Sequence, residues 1–281
     1  MRPLIASLSS FVLLSLVTAS TLAAPAASTS QAPAPTSDPL ASGTVQNGTK
    51  WFRKSAEYRI LALEAFRSAT RRLEAIAETR YDRNWVVVSD ADETLIDNSL
   101  YNQVNDQLGV GFDPKTWDEW VVKQQAGAIP GAFDFVRAVV DAGGKLAIVT
   151  NRERAREPET WANLVALGMP DDRSAICLLG IDAALDKKTN TEEWAKYGYA
   201  NDKDRRRRLL REGIAQQCWK DHGWAARHAW NRPLDIVLEV GDNVQDFAGV
   251  TQAGAVPEQL LRKIGRRLIL LPNPMYGSWE K

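Results

Sequence analysis

Three separated stretches of the 281-residue chain carry side chains that could act on a common group. They are Asp90-x-Asp92-x-Thr94, then Thr150-Asn151-Arg152, and last Gly241-Asp242-x-x-x-Asp246. Gathered together, the carboxylates of Asp90, Asp92 and Asp242 would repel one another, and the natural remedy is a hard cation with oxygen ligands. Two or three carboxylates completed by water and a phosphate oxygen suit magnesium better than zinc or copper. Such a cation lets an anionic nucleophile approach an anionic phosphate, because it neutralises charge on both. A threonine hydroxyl and a lysine ammonium would complete the stabilisation of a transferring phosphoryl group.

Side chains so distant in sequence need a scaffold. Short apolar runs recur at Trp85 to Ser89, Leu146 to Thr150, Ile176 to Leu179, Ile236 to Val240 and Leu268 to Leu271. Each is apolar on both faces, as strands covered by helices on either side should be. Helical periodicity lies between them, for example over Gly131 to Asp141 and Pro158 to Leu167. The alternation predicts an α/β fold with a doubly wound, mostly parallel sheet. Ligands bind such sheets beyond the carboxyl ends of the strands, near the switch in strand order. Asp90, Asp92, Thr150 and Asp242 would then share one edge. The stretch from Leu95 to Gly127, with Trp117 and Trp120, is too long for a simple connection and predicts a smaller helical accessory lobe. Before the first strand, Tyr58, Leu61, Ala65, Phe66, Ala69, Leu73 and Ile76 form one stripe, which predicts a single long helix over Trp51 to Glu78.

Met1-Arg2 and the apolar stretch Leu4 to Leu22, followed by Thr21-Leu22-Ala23, fit a signal peptide over residues 1–23, with cleavage before Ala24 and export to the periplasm or medium. Residues 24–50 are Ala/Pro/Ser/Thr-rich and read as a flexible linker, leaving 51–281 as the folded domain. Lys+Arg and Asp+Glu both total 35, so no overall basic field draws the chain to nucleic acid. The run Arg205 to Arg208 reads as a solvated helix face with Leu209, Leu210 and Ile214 packing inward. His222 and His228 are six residues apart, which fits no metal pair, and are expected at the surface. Export permits a disulfide between Cys177 and Cys218, but Cys177 lies in the apolar run Ile176 to Leu179, and a buried inert thiol is the favoured reading.

These three stretches, with Lys203-x-x-Arg206 between the second and the last, resemble in order the four motifs of the haloacid-dehalogenase superfamily. Trp51-x-x-x-Ser55-Ala56-Glu57-Tyr58, Asp92-Glu93-Thr94-Leu95-Ile96-Asp97-Asn98-Ser99, Pro130-Gly131-Ala132, Gly241-Asp242-Asn243 and Leu271-Pro272-Asn273-Pro274-Met275-Tyr276-Gly277-Ser278-Trp279-Glu280 are similar to segments of bacterial class C acid phosphatases, a group that includes lipoprotein 5′-nucleotidases. The resemblance implies that Asp90 is the nucleophile and that Asp92 protonates the leaving oxygen and then activates water. It implies magnesium held by Asp90, Asp242 and the backbone carbonyl of Asp92, with Asp246 in support. Thr150, Asn151 and Lys203 would hold the phosphate, and Tyr276 would stack on a nucleobase. The implied partner is a small-molecule phosphomonoester; the balanced charge predicts no nucleic-acid polymer as partner, and the weakly apolar leader without a nearby cysteine predicts no stable membrane anchor. In two respects the chain departs from the pattern. The lipid-bearing cysteine of the group is missing, and residues 216–232 look longer than the group needs. A storage or binding protein on the same fold is the alternative, disfavoured because Asp90, Asp92, Lys203 and Asp242 are all present.

Overall fold

A computed structural model describes residues 43–182 and 202–280, so the expected signal peptide and most of the expected linker lie outside the described residues. The core is a sheet of five parallel strands: β1 (Trp85–Ser89), β4 (Lys145–Glu153), β5 (Ile176–Ile181), β6 (Asp235–Gly241) and β7 (Leu268–Leu270). Their spatial order is β5-β4-β1-β6-β7. The chain builds outward from β1 on one side, then returns to build on the other. The switch in order therefore falls at β1, where a ligand-binding crevice is expected.

Side chains alternate between the two faces of each strand. Trp85 and Val87, Leu146 and Ile148, and Ile176 and Leu178 bury themselves on one face, with Phe66, Leu73, Phe135, Val139 and Leu164 of the covering helices. Those helices are α2 (Ala56–Ala77), α5 (Ala132–Asp141) and α6 (Glu157–Ala166). Val86 and Val88, Ala147 and Val149, and Cys177 and Leu179 face the other way, toward Leu210, Ala226, Ala229 and Trp230. The cover on this second face comes from α7 (Lys203–Glu212) and α8 (Gly223–Trp230). The stretch 216–232 is thus the lid of the second core.

Between β1 and α5 the accessory lobe carries α3 (Ser99–Leu108), α4 (Pro114–Lys123) and a two-stranded antiparallel ribbon, β2 (Ile96–Asp97) with β3 (Gly127–Ala128). Asp113 starts α4 by accepting hydrogen bonds from the backbone N–H groups of Lys115 and Thr116, with Pro114 in the first turn.

Several expectations need correction. The single helix over Trp51 to Glu78 is two helices, α1 (Asn47–Lys54) and α2. Ser55 is extended (φ −79°, ψ 143°) and its side chain accepts from the Tyr58 N–H, so it caps the second helix instead of continuing the first. Helical structure also begins at Asn47, inside the expected linker. On α2 the buried stripe uses Ala62, while Leu61 is 48% exposed.

The thiol reading of Cys177 is overturned: Cys177 and Cys218 form a disulfide, with Cα atoms 5.0 Å apart. Sequence spacing of 41 residues gave no sign that Cys218, in a single 3₁₀ turn at Gln216–Cys218, packs directly on β5. The solvated reading of the arginine run is also wrong, since Arg205, Arg206 and Arg207 are buried and Ile214 is half exposed. Arg206 Nη1 donates to the carbonyls of Thr150 and Leu179, and Arg207 Nη1 to that of Asp246 (2.8 Å). The Thr150 and Leu179 carbonyls lie where the β4–β5 register breaks after Val149, and the Asp246 carbonyl lies in the turn after β6, so the guanidinium groups take the place of sheet partners there. His222 is mostly buried, its Nε2 3.1 Å from Glu157, whereas His228 stacks on the exposed ring of Trp224.

Candidate active site

The carboxyl ends of β1, β4 and β6 bring the polar residues of three motifs to one edge. Asp90 follows β1 directly, its backbone N–H bonded to the Val240 carbonyl (2.9 Å). Asp242 follows β6. Gly241 is required just before it, because a Cβ there would lie inside the Asp246 side chain. Asp246 closes a capping box with Asn243: Asn243 N–H donates to Asp246 Oδ2 (2.9 Å), and this aims Oδ1 of Asp246 into the site. Lys203 enters from the first turn of α7, whose cap Asp202 accepts from the Arg205 N–H.

Lys203 Nζ lies 2.7 Å from Asp90 Oδ1 and 2.6 Å from Asp246 Oδ1, all three side chains being at most 10% exposed. Burial opposes the lysine charge, but Asp246 and Asp90 together hold its pKa above the ordinary lysine range. Burial pushes Asp90 well above the usual carboxylate range. Lys203 pulls against that shift, and Asp246, Asp242 and Asp92 add to it. Asp242 is pushed up to about 7, first by burial and then by Asp246, despite hydrogen bonds from Asn273 Nδ2 (2.8 Å) and Thr94 Oγ1 (3.1 Å). This is the electrostatic signature of a cluster short of positive charge.

Asp90, Asp242 and Asp246 each offer an oxygen within 4.8 Å of the others. An all-oxygen donor set with an excess of carboxylates could hold a hard divalent cation. Both oxygens of Asp246 already accept a hydrogen bond, from Lys203 and the Asn243 N–H, as do both of Asp242, from Thr94 and Asn273, whereas Asp90 accepts from Lys203 on Oδ1.

Asp92 stands apart from this cluster. Its Oδ1 accepts from Arg152 Nε (2.9 Å) and Asn98 Nδ2 (2.8 Å) with Arg152 Nη2 in ion-pair contact at 2.8 Å, and its Oδ2 accepts from Thr150 Oγ1 (3.4 Å). Its carboxylate is not part of the metal-type cluster. Thr150 is fully buried at the β4 end, while Asn151 is exposed and reached by Arg206 Nη2 at 3.5 Å. Tyr276 is partly buried in the loop after β7. That loop is fixed over the site by Asn273 on Asp242 and by Ser278 Oγ, which donates to Asn243 Oδ1 (2.7 Å).

Sequence reasoning named Arg152, Asn98, Asn273 and Glu93 as motif letters but gave none of them a task. Glu93 is wholly buried at φ 56°, a left-handed conformation unusual outside glycine, with Oε1 accepting from the Asn98 N–H (2.8 Å). A charged residue inside the run Ala91 to Ile96, apolar apart from polar motif residues, was the available signal.

A doubly wound sheet that gathers two aspartates after one strand, a threonine at the next, a helix-borne lysine and an aspartate after a third defines the haloacid-dehalogenase class. A family profile described as HAD superfamily, subfamily IIIB (acid phosphatase) matches residues 14–279, and the chain belongs to that family. The class C acid phosphatase from Bacillus anthracis is similar at 25% identity, with a TM-score of 0.61 over 83% of this chain and 85% of that one. Its tungstate-bound structure superimposes at a TM-score of 0.59, with 24% identity over the same shares. The protein is thus a phosphomonoester hydrolase of the acid phosphatase family. Among the described residues no helix is long and apolar enough to cross a membrane.

Proposed function

We propose that this phosphatase is exported, depends on magnesium, and works through an aspartyl-phosphate on Asp90. The observation that carries the reading is the buried Lys203–Asp90 contact beside Asp242, set against an Asp92 carboxylate that faces a different set of donors. Asp90 and Asp242, with the Asp92 backbone carbonyl, would hold the ion, and magnesium would supply charge neutralisation between nucleophile and phosphate. Lys203 orients Asp90 and favours its ionised form against the burial that opposes it, and a phosphate oxygen would find Thr150, Asn151 and Lys203 as donors. A carboxylate oxygen of Asp90 attacks phosphorus while the bond to the leaving oxygen breaks. Asp92 gives that oxygen its proton. Water then attacks the phosphorus of the aspartyl-phosphate, Asp92 takes a proton from it, and Asp90 and orthophosphate are released. A phosphate-release screen over nucleotides, sugar phosphates and aryl phosphates, with and without magnesium, tests the reading; full turnover in verified metal-free protein would refute the metal requirement.

For substrate, the proposal is a nucleoside 5′-monophosphate, with Tyr276 stacking on the base. The support is the position of its loop, held over Asp242 and Asn243 by Asn273 and Ser278. Stacking is typically worth about 1–3 kcal/mol and tolerates different bases. Tyr276→Ala should cost about tenfold or more in kcat/KM on nucleotides and little on a ringless phosphate. Equal losses on both would remove the nucleotide preference. Export is tested by mass spectrometry of the mature protein, expected to begin near Ala24.

A further inference from the structure

Asp92 has two carboxylate oxygens, and their surroundings are unequal. Oδ1 accepts two N–H groups, Arg152 Nε (2.9 Å) and Asn98 Nδ2 (2.8 Å), with Arg152 Nη2 in ion-pair contact at 2.8 Å. A carboxylate oxygen offers about two lone-pair directions, so these two donors leave none for a proton. Oδ2 is met by Thr150 Oγ1 alone among the described residues, at the long distance of 3.4 Å. We infer that Arg152 and Asn98 are positioning residues that block Oδ1 and thereby make Oδ2 the oxygen that carries the catalytic proton. This rests on the reading of Asp92 as the acid for the leaving group.

The pair is itself held. Asn98 Oδ1 accepts from Arg152 Nη2 (3.1 Å) and from Trp120 Nε1 (2.9 Å), and Arg152 Nη1 reaches Thr160 Oγ1 (3.3 Å). Arg152 and Asn98 are buried, so these bonds are shielded from competing water. The Asn98 amide is fixed in one orientation by this arrangement: its oxygen faces two donors, so its nitrogen must face Asp92. Trp120 belongs to α4, and Asn98 immediately precedes α3. The accessory lobe therefore reaches the reacting edge through a chain of three hydrogen-bonded side chains. A fixed rotamer is what the step needs. As the P–O bond breaks, its electron pair moves to the leaving oxygen, which takes the proton only if Oδ2 already points at it.

The value of kcat/KM isolates phosphoryl transfer to Asp90, the step in which the leaving group departs. Its dependence on the leaving group separates positioning from mere structure. 2,4-Dinitrophenyl phosphate releases a stable phenolate and needs no proton, whereas glycerol phosphate releases an alkoxide and does. Arg152→Ala should lower kcat/KM about 10²-fold or more on glycerol phosphate and only a few-fold on the dinitrophenyl ester. Arg152→Lys keeps the charge but loses the fork, and should show the same selectivity at smaller size. Trp120→Phe removes only the N–H on Asn98, and should lose a few-fold on the alkyl ester alone. These two variants carry the test if Arg152→Ala does not fold. Equal losses on both esters in folded Arg152 or Trp120 variants would overturn the inference. Asp92→Asn is the reference. If it too loses equally on both esters, the acid role of Asp92 fails; if it is selective and the Arg152 and Trp120 variants are not, only the positioning role fails.

Discussion

The two sides of the catalytic edge solve opposite electrostatic problems. On the side built by β6 and α7, Asp90, Asp242 and Asp246 crowd together against Lys203, and Asp90 and Asp242 are driven toward protonation. On the side built by β4 and the start of α3, a single carboxylate is paired with Arg152 and Asn98. The first side carries three carboxylates against one lysine and could take up an external cation, whereas the second matches its one carboxylate with one guanidinium.

Removing the centre of the first side should have the largest effect. Asp90→Asn should lower kcat by about four orders of magnitude or more, because an amide is a poor nucleophile and a weaker metal ligand. Phosphate release by variant protein with native circular dichroism would count against it. Lys203→Met strips the crowded side of a cation it already has. It should cost about 10²–10³-fold in kcat/KM, and about 3–5 kcal/mol of stability in denaturant titration, because Asp90 and Asp246 are left buried and unpaired.

A subtler test uses pH. The folded-state pKa of Asp242, about 7, lies above the value near 3.9 expected in an unfolded chain. Its protonation therefore favours the folded state. That contribution is fully present below about pH 4 and is lost as pH rises through 7. Chelator-treated protein should melt at a lower temperature at pH 8 than at pH 5, and magnesium should raise the melting temperature more at pH 8. A metal effect that is equal at both values would contradict the charge deficit. The smallest change expected is from Asn273→Ala, which removes one hydrogen bond to Asp242 and should weaken magnesium binding about tenfold by calorimetry.

The crowded side was readable in sequence, and most of the donor-rich side was not. Asp90, Thr150 and Asp242 each follow a short apolar run, and parallel strands carry run ends to one edge whatever the intervening chain does. The sheet was legible for the same reason, as period and apolarity are local properties. The partnership of Arg152 with Asp92 depends on how two neighbouring strand ends and the start of α3 are placed, and no local pattern encodes that. Arg206 and Arg207 were misjudged for a related reason. Their main partners are backbone carbonyls at Thr150, Leu179 and Asp246, which carry no sequence letter of their own. The break at Ser55 did have a local sign, a serine ahead of Ala-Glu-Tyr, but the apolar Trp51 and Phe52 just before it read as one helix with the stripe that begins at Tyr58, which masks the cap.

For a chain exported as proposed above, the disulfide between Cys177 and Cys218 bears on how it meets proteases. Lys203 lies between the two cysteines, so the helix that delivers the ammonium to Asp90 belongs to a covalent ring closed on β5. One cut anywhere in that ring opens it without releasing a fragment. The nicked molecule keeps its full mass on a non-reducing gel and separates into two pieces only when a thiol is added. Activity that survives nicking, and disappears on reduction, would show that the bond works as insurance against cleavage and not only as a brace for the fold.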